Sequence, residues 1–115
     1  MPLLRIQTNV SVSAGSSEAL LRKATNWVVT ELNKPIDYVQ VVFEPGACLA
    51  FAGTTEPAAF IELRALGLPQ DKTSALATSL CRLVGDELKI APARIFLNFL
   101  DVPPHLWGWN GDTFG

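Results

Sequence analysis

The chain repeats itself. In the segment "SSEALLRKATNWVVTELNKP", Leu20, Ala24, Trp27, Val28 and Leu32 fall on one face of a helix. In "DKTSALATSLCRLVGDELKIAP", Leu76, Leu80, Leu83, Val84 and Leu88 draw the same stripe. Each member of the second stripe lies 56 positions beyond its counterpart in the first. Strands repeat as well. "PLLRIQT" at 2–8 and "AFIELRA" at 59–65 share an apolar-apolar-apolar-charged-apolar-polar centre, with Leu4 matching Ile61 and Ile6 matching Leu63 at an offset of 57. After each helix come a proline and a further strand, "YVQVVF" at 38–43 and "IFLNFL" at 95–100.

A strand, a long helix and a second strand make a βαβ unit, whose crossover joins parallel strands in a right-handed sense. Two such units, about 1–57 and 58–115, predict one α/β (α+β) domain over residues 1–115. Its expected form is a four-stranded sheet with both helices on one face. Alternation assigns Leu4, Ile6, Val39, Val41, Phe43, Ile61, Leu63, Ile95, Leu97 and Phe99 to the helix-covered face. Leu3, Arg5, Gln7, Gln40, Phe60, Glu62, Arg64, Phe96 and Asn98 fall on the other face, a set too apolar for open water and too polar for a core. A slip of one residue in the 38–43 strand would exchange its two faces. Ser16 or Ser17 is placed to cap the first helix and Pro35 to end it, while Pro92 ends the second. "SVSAGSS" reads as a loop, and "EPGACLAFAG" as a turn with a short strand.

Composition narrows the function classes. Charged residues are 17% of the chain and hydrophobic residues 49%. A small domain so poor in charge hides surface in an oligomer. The net charge of -2 leaves no basic stripe for phosphates, which argues against nucleic acid. No apolar run approaches the roughly 20 residues of a membrane span, and no secretory signal is visible. Cys48 and Cys81 have no C-x-x-C spacing and read as buried thiols in a reducing cytoplasm. His105 is the only histidine, which disfavours a histidine-based metal site or triad.

Two features invite chemistry. Pro2 follows the start methionine, and a small residue there lets Met1 be clipped, leaving a secondary amine at the chain's end. By itself it also reads as a strand-start proline. The tail "DVPPHLWGWNGDTFG" carries Trp107, Trp109 and Phe114 with too much Gly and Pro for a helix; these rings pack on a neighbouring subunit, at the mouth of a pocket, or on their own chain.

Taken in order, "MP" before a strand, "TNV" at 8–10, "KP" at 34–35, "AFAGTTEPAA" at 50–59, "LKIAPARIFLNFLD" at 88–101 and "GWNGDTFG" at 108–115 resemble the macrophage migration inhibitory factor family of the tautomerase superfamily. The resemblance spans essentially the whole chain. It implies a homotrimer whose sheets surround a central channel, with a pocket at each subunit boundary. It implies keto–enol tautomerisation of aromatic α-keto acids such as phenylpyruvate, with no cofactor and no metal. Pro2 matches the catalytic proline. Lys34 matches the lysine that holds the substrate carboxylate, and Leu66 sits where an isoleucine offers its backbone N–H to the same group. Asn98 matches a polar residue from the adjacent subunit, while Leu3, Tyr38, Trp109 and Phe114 match positions that line the pocket.

Three departures bear on activity. Phe96 replaces a tyrosine of the family's vertebrate cytokine, Trp107 replaces a smaller aliphatic residue, and Ala58-Ala59-Phe60-Ile61 stands where the family has C-x-x-C. The first two imply low activity, and the third removes any basis for thiol-redox chemistry. Tautomerisation suits these residues. A proton moving between carbon and oxygen needs a base near neutral pKa, and an amine desolvated beside a lysine ammonium is lowered toward that range. Without the resemblance, Lys34 reads as a solvated lysine at a helix end and Asn98 as an outward strand residue. Arg5 and Arg64 read as sheet-face charges. The alternative function is a cytokine-like protein-interaction factor with a vestigial or ligand-binding pocket and an unidentified protein receptor. The expected location is cytoplasmic, with a signal-peptide-independent route of secretion as in family members.

Overall fold

A computed structural model describes residues 1–115. Strand β1 (Pro2–Thr8), helix α1 (Ala14–Leu32) and strand β2 (Gln40–Glu44) form the first unit; β3 (Ala59–Ala65), α2 (Thr73–Leu88) and β4 (Ile95–Asp101) form the second. The sheet order is β2-β1-β3-β4. β1 runs parallel to β2, and β3 to β4, as helical crossovers require. The two units meet antiparallel across β1 and β3, with Pro2 opposite Ala65 and Thr8 opposite Ala59. A short hairpin, β5 (Gly108–Trp109) with β6 (Asp112–Thr113), follows in the tail.

The helix stripes explain the packing. Leu20, Ala24, Val28 and Leu32 are the buried residues of α1, and Leu76, Leu80, Val84 and Leu88 those of α2. A spacing of four keeps each set on one face, and both sets join Leu4, Ile6, Ile61 and Leu63 in one core. Trp27 and Leu83 flank that core half-buried. Val41 lies beside Leu4 and Phe43 beside Ile6, which settles the β2 register with Val41 and Phe43 toward the helices. The other face carries Arg5 paired with Glu44, and Glu62 with Arg64 at 3.2 Å.

Local geometry departs from the sequence reading at several points. α1 is capped by Ser13, whose hydroxyl accepts the Ser16 N–H at 3.2 Å, rather than by Ser16 or Ser17. The chain leaves each helix through a left-handed residue, Asn33 (φ 52°) and Lys89 (φ 57°). After Lys89 the Ile90 N–H bonds the Gly85 carbonyl at 3.0 Å. A Cβ on residue 85 would sit 2.9 Å from the Ile90 oxygen, so this exit requires glycine. Residues 36–38 form a 3-10 turn, closed by Tyr38 N–H to Pro35 O, so β2 starts at Gln40 and not at Tyr38. The 44–53 segment holds only an isolated bridge between Phe51 and Thr54. Cys48 is exposed and Cys81 half-buried, both free, so neither is the buried thiol expected from composition. No helix is long and apolar enough to cross a membrane.

Candidate active site

Pro2 opens β1, where its missing N–H costs no ladder bond, and it is fully buried. The parallel pairing of Leu3 with Gln40 brings the 36–38 turn against the start of β1. The tail closes the same spot. After a 3-10 turn at 104–106 the Phe114 N–H bonds the carbonyls of Pro104 and Trp107, each at 3.2 Å, which folds the hairpin back. Its two turn residues, Asn110 (φ 52°) and Gly111 (φ 82°), are the left-handed pair that a two-residue hairpin loop requires.

A cavity of about 360 Å³ results, lined by Met1, Pro2, Asp37, Tyr38, Val39, Gln40, Trp107, Gly108 and Trp109. Its wall is aromatic. Trp109 meets Tyr38 edge-on at 5.3 Å and stacks with Phe114 at 6.1 Å. The tail rings thus pack on their own chain, at the mouth of a cavity, with Trp109 53% and Tyr38 37% exposed.

Beside it lies a second cavity of about 190 Å³, lined by Glu31, Leu32, Asn33, Lys34, Ala65, Gly67, Pro69 and Lys72. Ala65 is the strand partner of Pro2, so the two cavities adjoin across β1 and β3. Lys34 follows the left-handed Asn33, which turns it off the helix axis and toward the sheet. The Met1 amine is held below its ordinary value of 8.0, chiefly by burial and secondly by repulsion from the Lys34 ammonium. Lys34 therefore acts electrostatically on the very end of the chain.

Leu66 lies between Ala65 and Gly67, half-buried, and its N–H enters none of the hydrogen bonds outside the regular elements. The turn that presents it is held by Asp101, whose Oδ1 accepts the Leu68 N–H at 3.1 Å. Asp101 and the cavity-lining Asp37, Val39 and Gln40 escaped the sequence reading as site residues. For Asp101 a signal existed, since an acid closes "NFLD" level with the end of β3.

Not every expected residue arrives. Pro2, Tyr38, Trp107 and Trp109 share the first cavity, with Phe114 behind Trp109; Lys34 lines the second cavity instead, and Leu66 lines neither, although its neighbours Ala65 and Gly67 line the second. Leu3 is half-buried on the helix-free face with Arg5 and lines neither cavity. Phe96 and Asn98 are exposed on β4; Phe96 lies against Phe51 at 4.6 Å, and Asn98 pairs with Glu62, three rungs from the level of Pro2. The largest cavity of the molecule, about 910 Å³, lies elsewhere, between α2 and β4, with Phe96 and Cys81 in its wall.

What the first site offers chemically is a partly desolvated chain terminus, a cation near it and an aromatic wall. Such a site can take a flat apolar group joined to an anion and move a proton beside it.

The macrophage migration inhibitory factor family model matches residues 1–115. The chain is 36% identical over 116 residues to a macrophage migration inhibitory factor homolog of Brugia malayi, covering 100% of both. It is 33% identical to the macrophage migration inhibitory factor of Meriones unguiculatus, covering 99% of each. Among solved structures, the homologue from Prochlorococcus marinus superposes with a TM-score of 0.92 at 35% identity, over 98% of this chain and 99% of that one.

Proposed function

The chain belongs to the macrophage migration inhibitory factor family, and from that premise we propose that it is a keto–enol tautomerase of phenylpyruvate-type aromatic α-keto acids, with Pro2 as the proton carrier. The observation that carries this reading is the buried Pro2 beneath an aromatic wall, next to a lysine whose charge reaches the chain terminus.

With Met1 removed, Pro2 presents a secondary amine under the same two influences, burial and Lys34. In its neutral form the amine takes a proton from the carbon next to the keto group. The electron pair moves onto the keto oxygen, which gains a proton from solvent to give the enol. The reverse path returns the proton from Pro2 to carbon. Lys34 and the Leu66 N–H hold the carboxylate and stabilise charge developing beside it. The aromatic group lies along Tyr38, Trp107 and Trp109. No cofactor enters the reaction.

Asn98 and Phe96 can join the site only from a neighbouring copy, and the assembly proposed is a homotrimer. Three features support a covered surface: Phe96 is 66% exposed, Leu100 is exposed farther along the same face of β4, and Arg64 keeps a buried Nε without an acceptor in its own chain. A protein-interaction role is the second reading, supported by the names of the relatives. The proposed place of action is the cytoplasm, with secretion independent of a signal peptide.

The test is turnover of phenylpyruvate by protein with a verified N-terminus, beside light scattering at micromolar concentration. Turnover by a particle near three times 12.5 kDa is expected. An inactive protein or a monomer would defeat the enzymatic or the assembly part respectively.

A further inference from the structure

The small cavity beside the Pro2 site contains two lysines. Lys34 enters from the end of α1, and Lys72 from the turn that leads into α2. They come from different units of the repeat and line one space with Ala65 and Gly67, the neighbours of Leu66. Neither takes part in an ion pair. Glu31 shares the lining and is the one carboxylate there, yet it lies beyond ion-pair distance of both lysines. Asp71 precedes Lys72 in the same turn but neither pairs with it nor lines the cavity, and α2 brings no acidic side chain in its first turn. Two cations facing one small space repel each other, and an anion between them relieves that repulsion.

We infer that Lys72 is a second carboxylate-binding residue, and that it makes the site select α-keto acids as free anions over their uncharged esters. The inference rests on the tautomerase reading for the identity of the substrate. With the aromatic end of the substrate along Tyr38, Trp107 and Trp109, the second cavity, joined to Pro2 through its strand partner Ala65, is left for the carboxylate end and brings both lysines to it. Lys34 would supply the closer, half-buried contact. Lys72, which is exposed, would supply a weaker attraction that is screened by salt.

The decisive comparison uses Lys72→Met and Lys72→Arg with two kinds of probe. For catalysis, kcat/KM is measured for phenylpyruvate and for its methyl ester. For binding, the dissociation constants of 3-phenylpropanoate and its methyl ester are measured by NMR titration, which needs no turnover. Lys72→Met should reduce the acid-over-ester ratio about three- to fivefold in both assays, the scale of an exposed ion pair, and Lys72→Arg should preserve it. The effect should fade at high salt. An unchanged ratio, or acid and ester falling together, would overturn the inference. Protein that binds the acid with the expected ratio but turns over neither ketone would defeat the tautomerase reading while upholding the role of Lys72.

Discussion

The two βαβ units share a core and differ at their ends. Leu20, Ala24, Val28 and Leu32 are buried in one, Leu76, Leu80, Val84 and Leu88 in the other, and each pair is 56 positions apart. Even the left-handed exits, Asn33 and Lys89, keep that offset. The next residue separates the units. In the first it is Lys34, half-buried and facing a cavity; in the second it is Ile90, 4% exposed and part of the core. Tyr38, in the aromatic wall, has Arg94 as its counterpart, which donates to the carbonyls of Pro57 at 2.9 Å and Glu56 at 3.0 Å. Pro2 has Ala59, preceded by the buried Ala58 whose carbonyl is taken by Thr8.

Because β1 and β3 are antiparallel, these equivalent positions lie at opposite ends of the sheet. One end is open and carries the two cavities that Pro2, Tyr38 and Lys34 line. At the other, Asn9 and Arg94 tie down the 49–57 loop, with the Asn9 amide reaching Leu49, Thr55 and Glu56 and its oxygen accepting the Ala58 N–H at 2.9 Å. The buried stripe builds the fold, and the few residues just past each element decide which end can act.

The largest expected contrast is at the strand starts. In protein lacking Met1, Pro2→Gly should lower kcat/KM for phenylpyruvate at least about 10²-fold, the lower range for loss of a placed general base. Ala59→Gly should leave turnover near wild type and cost about 1 kcal/mol of stability instead. Comparable activity losses would erase the functional difference between the two ends.

The shared core should respond alike. Leu20→Ala and Leu76→Ala remove equivalent side chains, 1% and 3% exposed. Each should cost about 2–5 kcal/mol in denaturant unfolding, with the two costs within about 1 kcal/mol of each other. A near-neutral change at either position would break the equivalence of the units.

A smaller effect sharpens the role of Lys34. In the proposed mechanism the neutral amine is the base, so kcat/KM should rise with pH through the amine's pKa. Burial and Lys34 both lower the Met1 amine, and a Pro2 terminus in the same surroundings should be lowered likewise, so the midpoint in processed protein should lie below that of a free proline amine. Lys34→Met removes one of the two causes; the midpoint should move upward while KM rises about tenfold. A midpoint that stays in place would separate Lys34 from the chain terminus.

Phe96→Tyr is the mildest test. A hydroxyl there can reach a Pro2 site only across a subunit boundary, and a gained contact of about 1 kcal/mol would raise the rate severalfold. No change on any substrate would remove Phe96 as the reason for low activity.

Much of this was legible because burial writes periodically. The stripes and the alternation of β1 and β3 placed both helices and the helix-covered face. Tyr38 misled, because its β-type ring suggested a strand where the chain past Pro35 still makes a 3-10 turn. Ser13 caps α1 one turn ahead of Ser16 and Ser17, the two serines that the sequence put forward. Lys89 carries no sign of its left-handed backbone; the Gly85 carbonyl imposes it from a distance. The site followed the same division. Pro2, Lys34 and the tail aromatics stood out through the family motifs, whereas Asp101 and Lys72 acquire roles only once β4 and the 66–72 turn are in place.

The most direct measurement concerns Met1. While it is attached, the Pro2 nitrogen is a tertiary amide whose lone pair is delocalised into a carbonyl, and it is no base near pH 7. Met1 also stands in the cavity that the substrate should fill. Processed and unprocessed protein should be separated, verified by intact mass, and assayed side by side with phenylpyruvate. The expected result is turnover confined to the processed form, with the unprocessed form at or near background. Equal rates from the two would contradict Pro2 as the base.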